Sequence, residues 1–357
     1  MGWHDRNVVP CGIRALRSRR APQTRARCSD ETRLSADGSS AARHAPAARR
    51  RALWVLGNLT IDDVVLPDGT TAMGLCGGNA VYAALGAAIW RPHVALGVRI
   101  GPDFPRSHIA RLEGAGLEVA LVNVRTPSIH QWALYEPGDV RRFVTWVGSG
   151  SHDDQSIRPD ELPAGTAGAD ACHVAPMPLT IQAGLIRRLA RRRPGLLSLD
   201  PHDEYIAGHE EALLALLQDL DVFMPSRKEA RLLHGRDDPE AAARTFVRAG
   251  AGIVAVKLGP DGSIVCGADG VVHEVPAVPA AVVDTTGAGD AYCGGFLASY
   301  RNVPDAVVAA CHGAVSASFA VERRGAVALA DVEPEEAQRR LAWALDTAGR
   351  KTRRAHG

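Results

Sequence analysis

Lysine is almost missing from this chain of 357 residues: Lys228, Lys257 and Lys351 are its only three, set against 38 arginines. With its abundant Ala and Gly, that bias points to a GC-rich coding sequence. Cysteine is sparse as well. Its seven positions (Cys11, Cys28, Cys76, Cys172, Cys266, Cys293, Cys311) are odd in number and contain no C-x-x-C pair. That pattern argues against a disulfide framework or a zinc site and for a reducing, cytoplasmic setting. No apolar run approaches the ~18 residues of a membrane-spanning helix, so a membrane role is set aside. Three familiar motifs are also absent. There is no G-x-x-x-x-G-K-[ST] phosphate loop, Tyr292 stands where a dinucleotide fingerprint beginning at Gly287 and Gly289 needs glycine, and there is no G-x-S-x-G elbow.

What remains is 46% hydrophobic and 23% charged, enough for a substantial core. The net charge of +1 hides an asymmetry, because residues 1–52 carry +8 and the rest −7. The leading segment has no apolar periodicity and is rich in Arg, Ala and Ser, so residues 1–51 are expected to be a disordered, dispensable tail. A targeting segment or a basic arm for nucleic acid are its other readings. The expected fold runs over residues 52–348, with a basic tail at 349–357. Neither nucleic acid nor a membrane is expected as a partner.

From Leu53 onward, strand-like runs alternate with helix-like segments. "HVALGVRIG", "ACHVAP", "GLLSLDP", "DVFMPS" and "GIVAVKLG" read as strands. "NAVYAALGAAIW", "FPRSHIARLEGAG", "LTIQAGLIRRLARRR", "HEEALLALLQDL" and "PEAAARTFVRAG" read as helices. The alternation predicts an α/β fold, a doubly wound and mainly parallel sheet. Ligands of such sheets sit beyond the carboxyl ends of the strands, where Asp200, Ser226, Gly259 and Asp284 fall. "ALWVLGNLTIDDVVL" reads as a single strand. "DDVVLPDGTTAMGLCGGN" and "SIHQWALYEPGDVRRFVTWVG" read as β-ribbons, the second turning at residues 137–139. These predict a small β lid near residues 62–76 and 123–147.

The stretch "VVDTTGAGDAYCGGF", residues 282–296, places a strand-like run before a turn of small residues and then a helix. Unpaired amides at a helix start, approached closely through glycines, form an anion site suited to phosphate. Asp290 inside such a site would be repelled by phosphate unless a reacting hydroxyl lies between them. It could then accept that hydroxyl's proton while the amides of Gly287, Ala288 and Gly289 absorb the developing charge. An ordinary strand, turn and N-capped helix uses the same pattern, so spacing alone leaves both readings open.

Asp284-Thr285-Thr286-Gly287-Ala288-Gly289-Asp290 resembles the carboxy-terminal signature of the ribokinase-like (PfkB) carbohydrate kinases. In the family's order, "GNLTID" resembles its first strand, "GLCGGNA" its di-glycine motif, "VKLGPDGS" its nucleotide-side segment and "ASFAVERRGA" the stretch flanking adenine. The resemblance covers residues 52–345. It implies a kinase using ATP and Mg²⁺ on a small sugar-like substrate, with Asp290 as catalytic base and the amides of Gly287, Ala288 and Gly289 as anion hole. Asp62 and Asn79 would hold substrate hydroxyls, with Gly77 and Gly78 as the lid hinge. Gly259 and Gly262 would shape the nucleotide pocket, with Lys257 leading into it. Glu229 would organise Mg²⁺ through water. Asp284 and Thr286 resemble the positions that help bind a monovalent cation such as K⁺. Many relatives pair through their lids, which makes a homodimer of that kind the expected assembly.

The chain departs from the family at three places. Asn-x-x-Glu stands as Ser226-Arg227-Lys228-Glu229, Tyr82 occupies a position where sugar kinases carry Asn, and Asp200-Pro201-His202-Asp203-Glu204 lacks the Asn and Arg of Asp-x-Asn-x-Arg. Loss of that Arg points to a neutral sugar, polyol or nucleoside rather than an anionic sugar. Two alternatives to a sugar kinase stay open: a nucleoside kinase and a catalytically weak sugar-sensing protein. Other clusters also have two readings. His202, Asp203, Glu204 and His209 are a solvated face or metal ligands. Cys76 and Cys293 are buried hydrophobes or reactive thiols. Trp132, Tyr135, Phe143 and Trp146 are a packed lid face or a wall for stacking substrate.

Overall fold

The computed structural model describes residues 51–136 and 140–355. The tail at 1–50 and the turn at 137–139 lie outside the described residues.

Among the described residues, thirteen strands and ten helices follow one another. The strands are β1 Leu53–Asn58, β2 Thr60–Val65, β3 Thr71–Gly77, β4 Val94–Ile100, β5 Glu118–Asn123, β6 Ile129–Glu136, β7 Val140–Thr145, β8 Ala171–Val174, β9 Leu197–Leu199, β10 Val222–Phe223, β11 Ile253–Lys257, β12 Ser263–Cys266 and β13 Val272–Val275. The helices are α1 Asn79–Ala88, α2 Arg106–Gly114, α3 His152–Gln155, α4 Leu179–Arg192, α5 Glu210–Leu214, α6 Arg227–His234, α7 Pro239–Arg248, α8 Ala288–Tyr300, α9 Ala306–Val321 and α10 Pro334–Ala355. The basic segment expected as a separate tail continues α10 as far as Ala355.

Nine strands form the central sheet in the order β13-β12-β11-β10-β9-β8-β1-β4-β5. The ladder is parallel from β11 to β5, and β12 and β13 add an antiparallel edge. Its inner strands, from β12 to β4, are buried on both faces, as parallel strands covered by helices must be. Along β1, Leu53 and Val55 enter the core shared with α1, α8 and α9, while Trp54 and Leu56 enter the core shared with α4 and α7. β1 sits between β8 and β4, and the chain order reverses there, leaving a crevice at the carboxyl ends of the strands.

The expected doubly wound sheet is therefore present, and a second sheet, β3-β2-β6-β7, stands apart from it. Two details differ from the expectation. The run before the glycine-rich turn, read as a strand, forms none, since β13 ends at Val275 and α8 begins at Ala288. The run read as a single strand is cut at Leu59, its first half pairing with β4 and β8 in the central sheet and its second half with β3 and β6 in the small one. Both halves read as strand, and their pairing partners separate them.

Candidate active site

Neighbouring strands deliver neighbouring polar groups. Asp200 follows β9, Ser226 follows β10 by three residues, and Lys257 ends β11. Ser226 caps α6 in a reciprocal box: its hydroxyl accepts from Glu229 N at 3.3 Å, and Glu229 Oε2 accepts from Ser226 N at 2.6 Å. The box aims the Glu229 carboxylate back at the strand ends. Burial, and after it the charge of Asp200, pushes the Glu229 carboxyl up from the usual range.

Across from these groups the glycine-rich turn opens α8. Gly287 is its N-cap at φ 71°, in the left-handed region. A Cβ there would also stand 2.1 Å from the Tyr82 ring, so the position excludes any side chain on two grounds. Tyr82, expected as a substrate contact, lies buried in the core with its ring packed against this turn. Burial, followed by the carboxylate of Asp284, holds its phenol well above the ordinary value. Asp290 is the third residue of α8, half-buried, beside the first helical amides, which have no partner within the helix.

A cavity of about 900 Å³ joins the two sides. Gly287, Ala288, Gly289 and Asp290 line it, and so do Ser226, Glu229, Lys257, Gly259 and Gly262. Nine of the sequence-predicted residues are thus brought to one space. The substrate-side group is placed at the root of the small sheet and does not line this cavity. Asp62, buried on β2, accepts from Gln131 Nε2 at 3.1 Å, and its carboxylate lies over Gly77, where a Cβ would meet Oδ2 at 1.8 Å. Gly78 caps α1 at φ 106°. Asn79 ties three segments together, its Oδ1 accepting from Asn58 N at 2.9 Å and its Nδ2 donating to Pro176 O at 2.6 Å. The side chain expected to hold a substrate hydroxyl is engaged by backbone on both ends of its amide.

Asp284 and Thr286 stand on the far side of the same turn. Thr286 N donates to Asp284 Oδ1 at 2.7 Å, and Tyr135 of β6 donates its hydroxyl to Asp284 Oδ1 and lies 2.5 Å from Thr286 Oγ1. Asp284 Oδ2 is buried without a hydrogen-bond partner. Sequence reasoning missed this contact by grouping Tyr135 with the other lid aromatics. Strand parity separates them: Gln131 and Tyr135 turn toward Asp62 and Asp284, whereas His130 and Trp132 lie on the opposite face and stack with Trp146 at 4.4 and 5.5 Å between ring centroids. The four aromatics therefore do not form one wall.

Cys76 and Cys293 are both buried free thiols, and burial pushes Cys76 up to about 12. His202 and Asp203 face each other at 3.2 Å, and Lys228 pairs with Asp203. Among the described residues no group of three or more His, Cys, Asp or Glu side chains could hold a metal ion by itself. No helix among them is long and apolar enough to cross a membrane.

An amide-lined turn, a carboxylate in the first helical turn and a fixed lysine around one cavity are groups that can hold an anion and take up a proton beside it. Comparison with known proteins makes this specific. The model of the pfkB family of carbohydrate kinases matches residues 76–332. A cytidine kinase of Thermococcus kodakarensis is 31% identical over 253 residues, covering 70% of this chain and 88% of that protein. A fructokinase of Klebsiella pneumoniae is 28% identical over 276 residues, covering 72% and 87%. A putative ribokinase II of E. coli, solved in complex with ATP and Mg²⁺, superposes with a TM-score of 0.69 at 19% identity, over 82% of this chain and 99% of that one. The chain belongs to the pfkB family of carbohydrate kinases and is a kinase.

Proposed function

We propose that this kinase transfers the γ-phosphoryl group of ATP to a primary hydroxyl of a small, neutral, sugar-like acceptor. The observation that carries the reading is the placement of Asp290 in the first turn of α8, beside the Gly287, Ala288 and Gly289 amides, in the cavity that also holds Lys257 and Glu229. Asp290 accepts the acceptor's proton as its oxygen attacks, and the turn amides, reinforced by the helix dipole, hold the charge that develops on the phosphoryl oxygens. Ser226, Gly259 and Gly262 shape the nucleotide side. Glu229, half-buried on the cavity lining, fits a role in holding Mg²⁺ through water. That ion, when bound with the nucleotide, neutralises phosphate charge. Asp284 Oδ2, a buried carboxylate oxygen without a partner, fits a monovalent cation together with Thr286. Asp62 on the lid root is the group we assign to an acceptor hydroxyl, with Gly77 and Gly78 as the hinge.

A nucleoside acceptor is the second reading. It is favoured by the likeness to a cytidine kinase and not by the lid stack, which faces away from Asp62 and Asp284. Release of ADP with a panel of pentoses, hexoses, polyols and nucleosides separates the two; phosphorylation of nucleosides alone would sink the sugar reading. On the face that carries the Trp132 and Trp146 stack the lid exposes Val144 and Trp146, with Val147 beyond them, an apolar surface that suits pairing of two copies. We read it as a homodimer face, and a monomer mass by light scattering at micromolar concentration would remove that reading. A cytoplasmic setting, where ATP and free thiols are both maintained, agrees with five buried free cysteines among the described residues.

A further inference from the structure

Asp200 is the carboxylate of the cavity to which the mechanism above gives no task. Its side chain is 3% exposed, and its Oδ2 lies 2.5 Å from Lys257 Nζ, itself 12% exposed. The same oxygen accepts from Cys293 Sγ at 3.4 Å, while Oδ1 is buried without a hydrogen-bond partner. Lys257 is gripped from the other side as well. Its Nζ is 3.6 Å from Cys293 Sγ, and a Cβ on Gly289 would stand 3.5 Å from it. The ammonium is thus wedged between the ends of β9 and β11 and the first turn of α8, immediately behind the amides that would face the phosphoryl group.

Stability does not account for such a pair. Two charges taken out of water seldom repay their desolvation, and apolar residues of the same volume usually do as well or better. A buried lysine on its own would tend to lose its proton. Here burial works against the charge, but the carboxylate of Asp200, helped by Cys293 and Glu229, outweighs it and keeps Lys257 protonated. A flexible four-carbon stem would also let the ammonium wander unless something held it. Both needs are met by the carboxylate of Asp200, at the end of β9, two strands along the sheet from β11.

We propose that Asp200 is a positioning residue: it fixes the Lys257 ammonium behind the Gly287–Asp290 turn, where that charge stabilises the phosphoryl group during transfer. Asp200 does not touch the reactants and acts through Lys257. The proposal rests on the kinase reading above, and it assigns a residue that the proton transfer at Asp290 does not need.

A double-mutant cycle on the full-length enzyme tests it, with kcat, KM for ATP, ADP affinity and thermal midpoint measured for each variant. Wild-type turnover that depends on an acceptor secures the underlying reading first, so failure of that reading shows separately. Lys257→Met should lower kcat by ~100-fold and Asp200→Asn by ~10-fold or more, with ADP affinity changed by less than about 3-fold. The double variant should fall within about 3-fold of Lys257→Met alone, because Asp200 has nothing left to position. Three results would overturn the proposal. One is an Asp200→Asn loss as large in the Lys257→Met background as in wild type, which would mean direct action on metal or substrate. The second is a lowered thermal midpoint with unchanged kcat, which would mean a structural pair. The third concerns Lys257→Arg, used where a neutral variant does not fold: the proposal requires kcat to fall there too, since the charge is kept but moved, and an unchanged kcat contradicts it.

Discussion

Along β8, β9, β10 and β11 every residue but Lys257 is buried, and the polar groups of the site, Asp200, Ser226 and Lys257, appear only at or beyond the strand ends. Along β2 and β6, polar and apolar groups are sorted by parity instead. Asp62, Gln131 and Tyr135 turn toward the glycine-rich turn and the root of the lid, while Asp63 and His130 pair on the other face at 2.9 Å next to the Trp132 and Trp146 stack. The contrast follows from burial. A parallel sheet covered on both faces leaves its chemistry only an end, whereas an antiparallel-edged sheet covered on one face can offer one side to a site and the other to solvent or a partner. The glycine-rich turn is where the two arrangements meet: Asp290 serves the cavity at the strand ends, and Asp284, six residues earlier, is held by the lid.

The largest effect should come from the cavity side. Asp290→Asn is expected to lower kcat by ~100-fold or more with nucleotide affinity nearly intact; a loss of less than about 3-fold in steady-state turnover would show that the base is elsewhere. Gly287→Ala should be nearly as damaging, because the new methyl group meets both an unfavourable backbone angle and the Tyr82 ring. We expect about 2–4 kcal/mol of lost stability in urea unfolding and at least ~10-fold lower kcat.

Between the ends of β8, β9, β10 and β11 the polar side chains are His173 of β8 and Ser198 of β9, bonded to each other at 2.9 Å. Burial, and then the charge of Lys257, pushes the imidazole down to about 3. The unfolded chain therefore binds the extra proton first. Stability from neutral His173 is complete above about pH 6.5 and is lost as pH falls toward 3, costing ~2 kcal/mol by pH 5. Urea unfolding at pH 7 and pH 5 should show that loss in wild type and a smaller one in His173→Gln; equal losses would remove His173 as the cause.

The smallest of these effects belongs to the lid. Tyr135→Phe removes one hydrogen bond to a carboxylate and should raise the acceptor KM by ~3–10-fold while leaving kcat within about 3-fold. A kcat loss on the scale of Asp290→Asn would erase the distinction between the two regions.

The same contrast explains what could be read from the sequence. Asp200, Ser226 and Gly259 were each visible as residues just after an apolar run, because the strand-end rule is local; the run before Asp284 forms no strand, since β13 ends at Val275. Asp290 and its turn were visible for another local reason, glycines placed directly before a helix start. The partnerships were not, since the Asp200–Lys257 pair spans 57 residues, Asp62–Gln131 69 and Asp284–Tyr135 149. Strand parity could have separated Tyr135 from Trp132, which lie three residues apart and so on opposite faces. The cut at Leu59 had a local sign in Gly57-Asn58 before it and in the polar Thr60, Asp62 and Asp63 after it, but only pairing with different sheets ends one strand and starts the next. Tyr82 was legible as a departure from its family but not as the ring packed against Gly287, a contact between helices far apart in the chain.

The central claim is phosphoryl transfer governed by Asp290, and acceptor-dependent ADP release tests it most directly. Wild-type enzyme with ATP and Mg²⁺ should release ADP in step with phosphorylation of a primary hydroxyl on at least one neutral sugar, polyol or nucleoside of the panel, and Asp290→Asn should abolish that release. No acceptor-dependent ADP from any member of the panel, or undiminished release from Asp290→Asn, would contradict the account.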